Sequence, residues 1–338
     1  MTAAESGHRE HLLGIDIGGT KSAVVLGRAV GEDLQIVRRV ARPTRAEGPL
    51  DALADLAAMA ERLLEEAGIA TADVARLGVC CGGPLDDVHG IVLGPPNLPG
   101  WDHVPVVDFF ETHLGIETRL SNDANAGAVA EWRWGAGRGT ATMAFLTFGT
   151  GLGAGLIIDG RLHTGWRGLA GEVGHVRVAD GGPPAYGKAG SWEGYSSGNG
   201  IRLLAIERIR EAWAHGRQVA FCADEDALAA LDVRTLAAAA RRGDDIAAAV
   251  FRTSGEFLGR GIAILADIID PEVVVVGGIY GRCLDLLAQP TLEVFAAESL
   301  AGSLGTARVE PARLGEAIGD WSALGVALSE PLIRTAQR

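Results

Sequence analysis

The sequence predicts an α/β protein, and three features carry the prediction. Short apolar runs alternate with segments of helical periodicity, glycine clusters close several of the runs, and no segment reaches about 18 consecutive apolar residues. At 338 residues, with 48% hydrophobic and 22% charged residues, the chain is long enough for two globular domains with sizeable cores. A formal net charge of −13 argues against nucleic acid or a membrane surface as the main partner, while a local positive pocket can still hold a nucleotide.

The elements follow in order. In "LLGIDIGGTKSAVVLG", Leu12 to Ile17 read as a strand, Gly18 and Gly19 break it, and Ser22 to Leu26 resume as the second arm of a hairpin. A helix follows, with apolar positions 56, 57, 60, 63 and 64, Pro49 and Asp51 at its start and Gly68 at its end. "RLGVCCGGP" from Arg76 is a buried strand, and "IETRLSNDANAGAVAEWRWGAG" is a short strand running straight into a helix. After residue 140, "ATMAFLTFGTGLGAGLIIDGRL" restarts the pattern with a second glycine hairpin, a weak internal repetition that chance similarity of hairpins can also give. "DDIAAAVFRTSGEFLGRGIAILADIID" is a long helix and "PEVVVVGG" a buried strand.

The cysteines at 80, 81, 222 and 283 form no CxxC pair. Cys80 and Cys81, adjacent on a strand, are expected on opposite faces, and all are expected to be reduced core residues. The amino terminus shows no basic segment followed by a long apolar one, which gives a cytoplasmic expectation.

Asp16 stands where the first strand meets its glycine turn, with Thr20 and Lys21 just beyond. A carboxylate there can orient Mg²⁺ or its water while the turn's amides approach phosphate oxygens; the plainer reading is an Asp capping a turn. Glycines after a strand turn backbone N–H groups toward one point, and Gly149 to Gly155 offer the same concavity or a simple tight turn. Neither loop fits GxxxxGK[ST] or GxGxxG. Asp123, after a strand and at a helix start, can accept a hydroxyl proton during attack on phosphorus; alternatively it or Asn122 caps the helix. Glu172 and His175, three apart, share a side if they form a helical turn and can then bond neighbouring hydroxyls of a polyol. Surface charge is the plainer reading for Glu172 and Glu193, and a plain turn for Asn97 in "PPNLPGW".

The order "GIDIGGTK", "PPNLPGW", "NDANA", "FGTGLGAG", "GEVGH", "WEGYSSG" and "VVVVGG" resembles the ROK (repressor, open reading frame, kinase) sugar kinases from residue 12 to about 280. The resemblance implies a two-domain, actin-like ATPase (ribonuclease H-like) fold with its active site in the interdomain cleft. Residues 1–119 with 320–338 would form the smaller domain and residues 120–319 the larger. It further implies that Asp16, Gly18, Gly19, Thr20 and Lys21 form the first phosphate motif and Gly149, Thr150, Gly151 and Gly153 the second. Gly277 and Gly278 match the adenosine motif, Asn97, Asn122, Glu172, His175 and Glu193 the sugar ligands, and Asp123 the catalytic base.

The activity implied is ATP- and Mg²⁺-dependent phosphorylation of a hexose, glucose first and an N-acylhexosamine second, by a homodimer. A sugar-sensing repressor of the same family would carry an added N-terminal DNA-binding region, whereas about eleven residues precede the first strand here. One departure stands out. Where the family usually has CxCGxxGCxE, this chain has "PAYGKAGSWE", with Pro184, Tyr186 and Ser191 at the cysteine positions. A Cys₃His zinc site cannot form from one imidazole, so no structural zinc is expected, with Tyr186 and Trp192 packing in its place and His175 serving the sugar alone.

Overall fold

A computed structural model describes residues 11–31, 33–45 and 48–329. Residues 1–10, read above for a leader, and residues 330–338 of the smaller domain's closing segment lie outside the described residues. The chain divides into two compact units, residues 1–130 with 316–338 and residues 131–315.

The first unit opens with β1 (His11–Ile17), β2 (Lys21–Val30) and β3 (Asp33–Pro43), an antiparallel meander. Helix α1 (Pro49–Ala67) starts on a proline, stops at Gly68, and buries Leu53, Leu56, Ala57, Ala60, Leu63 and Leu64 in the first unit's core, as its periodicity predicts. β4 (Val74–Cys81) then runs parallel to β1. A small sheet of β5 (Leu85–Asp86), β6 (Ile91–Val92) and β7 (Val104–Pro105) precedes α2 (Val106–Leu114), β8 (Thr118–Asn122) and α3 (Asp123–Trp134).

The second unit opens the same way, with β9 (Met143–Phe148), β10 (Leu152–Ile158) and β11 (Arg161–His163). Its helices α4 (Trp192–Tyr195), α5 (Gly198–Ala214), α6 (Glu225–Ala229), α7 (Val233–Arg241) and α8 (Asp245–Ile269) each start on a Ser or Asp whose side chain accepts a first-turn N–H. β12 (Val273–Val276), α9 (Ile279–Arg282), α10 (Leu284–Glu298), α11 (Leu300–Leu304) and β13 (Arg308–Pro311) complete it, and α12 (Ile318–Leu328) belongs to the first unit.

The strand orders are β3-β2-β1-β4-β8 and β11-β10-β9-β12-β13, each an antiparallel meander extended by two parallel strands. The repetition suspected from the two glycine hairpins is therefore one of whole-sheet topology. The unit bounds differ from the 1–119, 120–319 and 320–338 expected from sequence for a structural reason. β8 is paired with β4 from Thr118 to Asn122, and Ala126 of α3 packs with Cys80, Ala323 and Val326, so this stretch belongs to the first unit. Cys81 faces the α1 side while Cys80 faces this second cluster, the two faces the alternation predicts. All four cysteines are buried and free.

Two local features fix the architecture. Helix α12 lies almost directly on the backbone of the first sheet at Gly14 and Gly78, which pair across β1 and β4. A Cβ on Gly14 would stand 2.9 Å from the Ala323 Cβ, and one on Gly78 would collide with the Ala323 carbonyl and the Ala327 amide. In the second unit, the fully buried Glu131 carboxylate accepts backbone N–H bonds from Ala136 (2.8 Å), Arg313 (3.1 Å) and Leu314 (2.8 Å). It thus ties the segment that enters the unit to the segment that leaves it.

Because only backbone opposes the new methyl, Gly78→Ala should cost about 3 kcal/mol of unfolding free energy. Gly281→Ala, where nothing lies within 4 Å, should stay within about 0.5 kcal/mol. Urea denaturation of both variants checks the pair.

Candidate active site

In the first unit the predicted residues gather at the carboxyl ends of the parallel strands β1, β4 and β8, the edge where open α/β sheets place ligands. The turn between β1 and β2 is closed by the Gly18 N–H on the Lys21 carbonyl (3.1 Å). Thr44 braces it from the end of β3: its amide bonds the Thr20 carbonyl (3.0 Å) and its hydroxyl the Gly18 carbonyl (2.6 Å). Asn97 lies directly over Gly19, where a Cβ would stand 2.6 Å from the Asn97 carbonyl oxygen, and its amide group also abuts Gly82. Leu98 and Trp101, both fully buried, anchor that loop and leave Asn97 itself exposed.

Asp16 is half-buried, and its carboxyl is pushed up from 3.8 to about 6, first by burial and then by the charges of Asp123 and Asp320; Arg39 and Lys21 pull the other way. Gly319, at the start of α12, has no side chain because a Cβ there would meet the Asp16 carboxylate. Its neighbour Asp320, nearly buried, is held by Arg39 at 2.7 Å. Asn122 caps α3, its Oδ1 accepting the Asn125 N–H at 2.7 Å, so its amide nitrogen is the part with donors to offer a ligand. Asp123, on the first turn of α3, is exposed to solvent.

The second unit repeats the arrangement at the carboxyl ends of β9 and β12. Gly149, Thr150 and Gly151 form the turn, closed by the Gly149 N–H on the Gly151 carbonyl (3.0 Å), while Gly153 lies inside β10 opposite Thr147. The first amides of α5 hold this turn: Gly198 N–H bonds the Gly149 carbonyl (2.8 Å) and Asn199 N–H the Thr150 carbonyl (3.3 Å). Gly278 has φ 65° and approaches the Phe148 carbonyl so closely that no Cβ fits, which sets the Gly277–Gly278 pair against the same turn.

Glu172 and His175 bound a single 3₁₀ turn, with the His175 N–H on the Glu172 carbonyl at 3.2 Å, and both are exposed. Glu193, half-buried on α4, accepts the Leu152 N–H at 2.8 Å and the Tyr186 hydroxyl at 2.6 Å on the same oxygen. Tyr186 stacks on His175, ring centroids 3.5 Å apart. Trp192 does not join it. Its indole is buried in the second unit's core against Gly261, too close for any Cβ there, because residues flanking Glu193 on a short helix point away from the site. Ser191 caps α4 instead, accepting the Gly194 N–H at 3.3 Å.

Sequence reasoning missed Thr44, Arg39, Asp320, Gly319 and the α5 amides. None carries a motif of its own, although the serines in "WEGYSSG" are the residue type that starts a helix, and Ser197 caps α5.

The ROK family profile matches residues 12–328. The glucokinase of Thermotoga maritima is 33% identical over 309 residues, covering 91% of this chain and 94% of its own. The N-acetylmannosamine kinase of Citrobacter koseri is 34% identical over 278 residues, covering 82% and 86%. The crystal structure of a ROK family glucokinase from Streptomyces griseus in complex with glucose and AMPPNP superposes with a TM-score of 0.76 at 33% identity, over 94% of this chain and 99% of that one.

The raised carboxyl of Asp16 has a measurable consequence. The folded state holds a proton that the unfolded chain releases near pH 3.8, so stability falls as pH rises toward and through about 6. Asp16→Asn should therefore gain nothing over the parent below about pH 4 and about 1–2 kcal/mol at pH 8, after discounting for partial exposure. Urea unfolding at both pH values, without nucleotide or magnesium, gives the comparison.

Proposed function

The chain belongs to the ROK family, and from that premise we propose that it transfers the γ-phosphoryl group of ATP to the 6-hydroxyl of a hexose, with glucose as preferred acceptor. The observation that supports this most is the glycine hairpin of β1 and β2 set beside Asp16, Asn97 and Asp123 at one sheet edge, in a chain similar to a glucokinase over 91% of its length. In this reading the amides of Gly18 to Lys21 and of Gly149 to Gly151 bind phosphate oxygens, and Gly277 and Gly278 leave room for the adenosine. Asn97, Asn122, Glu172, His175 and Glu193 bond the sugar hydroxyls.

Asp123 accepts the proton of the attacking hydroxyl as its oxygen forms a bond to the γ-phosphorus and the bond to the ADP oxygen breaks. Exposure of Asp123 at the head of α3 suits a base that must meet its substrate. A hard divalent cation carried by ATP needs only one or two protein carboxylates, and Asp16 would supply one: burial, then the charges of Asp123 and Asp320, disfavour its anion, and a cation would relieve that. Magnesium, bound with ATP, offsets charge on the phosphate oxygens. A second reading, an N-acylhexosamine kinase, draws on the likeness to an N-acetylmannosamine kinase and differs only in the pocket around C2 of the sugar. We also place the enzyme in the cytoplasm as a homodimer without structural zinc.

Assays of hexoses and hexosamines, each with ATP and with polyphosphate, separate these substrates; an N-acylhexosamine preferred over glucose favours the second reading. Asp123→Asn should lower kcat by about 10² to 10⁴ while sugar binding persists. Turnover within a few-fold of the parent removes Asp123 from the role of base. Elemental analysis should find no stoichiometric zinc, and a zinc-selective chelator should leave the unfolding midpoint unchanged without nucleotide. About one tightly bound zinc per chain contradicts this.

A further inference from the structure

Tyr186 occupies a costly position. The amide and carbonyl of Ala185 bond those of Lys188 (3.0 and 3.1 Å), closing a two-residue turn in which Tyr186 has φ 53° and Gly187 φ 71°. Both central residues in the left-handed region define a type I′ turn, whose first position favours Asn, Asp or Gly. A bulky aromatic residue there pays a steric cost, and such residues persist where neighbouring contacts hold them. Two contacts hold this one. Its hydroxyl donates to Glu193 Oε2 and its ring stacks on His175, interplanar angle 19°.

Those contacts determine what the site can offer. Glu193 Oε2 is fully engaged, receiving the Leu152 N–H of the β9–β10 hairpin as well as the phenol, while among the described residues Oε1 accepts no hydrogen bond. The stack fixes the plane of the His175 ring, whose nitrogens likewise have no hydrogen-bond partner among the described residues. Lys188 restrains the same histidine from the far side of the turn, its ammonium donating to the His175 carbonyl. Burial and the negative charges of Glu193 and Glu172 hold the Tyr186 phenol well above its ordinary range, so it remains a donor at any working pH.

We propose that Tyr186 is a positioning residue that orients Glu193 and His175 together for the hexose, through one hydrogen bond and one ring stack. This rests on the sugar-binding role proposed above for those two residues. It accounts for the strained turn: with Asn in its place the loop would close more easily, and neither side chain would be held.

The test compares the parent with Tyr186→Phe, Tyr186→Asn, Glu193→Gln and the Tyr186→Phe/Glu193→Gln double variant. Glucose affinity is measured by calorimetry without nucleotide, alongside kcat, both KM values and the unfolding midpoint. Tyr186→Phe keeps the stack and loses the bond to a carboxylate, so it should weaken glucose binding and raise the sugar KM about tenfold, with the ATP KM within twofold. Tyr186→Asn should weaken glucose binding further while matching or exceeding the parent's unfolding midpoint. The double variant should bind glucose about as weakly as Glu193→Gln alone, because the two groups act as one unit.

If Glu193→Gln weakens glucose binding and Tyr186→Phe leaves it within twofold, the role of Tyr186 is overturned and the sugar site stands. If Glu193→Gln itself leaves glucose binding unchanged, the sugar-site reading fails and this inference fails with it. A lower unfolding midpoint in Tyr186→Asn, with both KM values raised equally, marks Tyr186 as structural only and also overturns the proposal.

Discussion

The contact between α12 and the bare backbone of β1 and β4 governs the first unit. A helix normally sits about 10 Å from a sheet because side chains hold them apart; Gly14 and Gly78 remove those side chains from two adjacent strands. The close seat commits the last described helix to a sheet built by the first residues of the chain. It also brings Gly319 and Asp320 against Asp16. The electrostatics around Asp16 thus depend on residues some three hundred positions away in sequence, delivered by the close seating of α12 on two glycines.

The two sheets share one topology, yet each solves the bracing of its glycine turn differently. In the first unit a threonine just after the third strand bonds the turn carbonyls; in the second the opening amides of α5 do so. The fold engages the carbonyls of Gly18, Thr20 and Lys21 in the first turn and of Gly149, Thr150 and Gly151 in the second. Such a division suits recognition of an anion, because a turn whose carbonyls are largely engaged by the fold presents mainly its donors to a ligand.

What was legible in the sequence was what is local. The periodicity of α1, the glycine turns, and the opposite facing of Cys80 and Cys81 are each set within a few residues. Strand β3, "DLQIVRRVARP", went unread because three arginines and a mostly exposed course hide its alternation. The sequence reading starts the larger domain at residue 120 because β8 looks like the start of the next unit until its pairing with β4 is known. Thr44 and Asp320 act through contacts that no spacing encodes. Tyr186 and Trp192 show the same limit: both are aromatic and both flank the expected site, but only the turn geometry sends one ring to His175 and the other to the core.

Glu131 bears on how the chain reaches its native state. The first unit is interrupted, since residues 131–315 intervene between its two segments, and bringing those segments together means closing a long loop of chain. The three amides gathered by the Glu131 carboxylate belong to both ends of that intervening segment. Once the second unit has formed, its ends are clasped and the flexible loop has become a folded bead with entrance and exit side by side. With those ends held, bringing α12 to its sheet closes a short tether rather than a long loop, and the buried Glu131 carboxylate is one clasp that holds them.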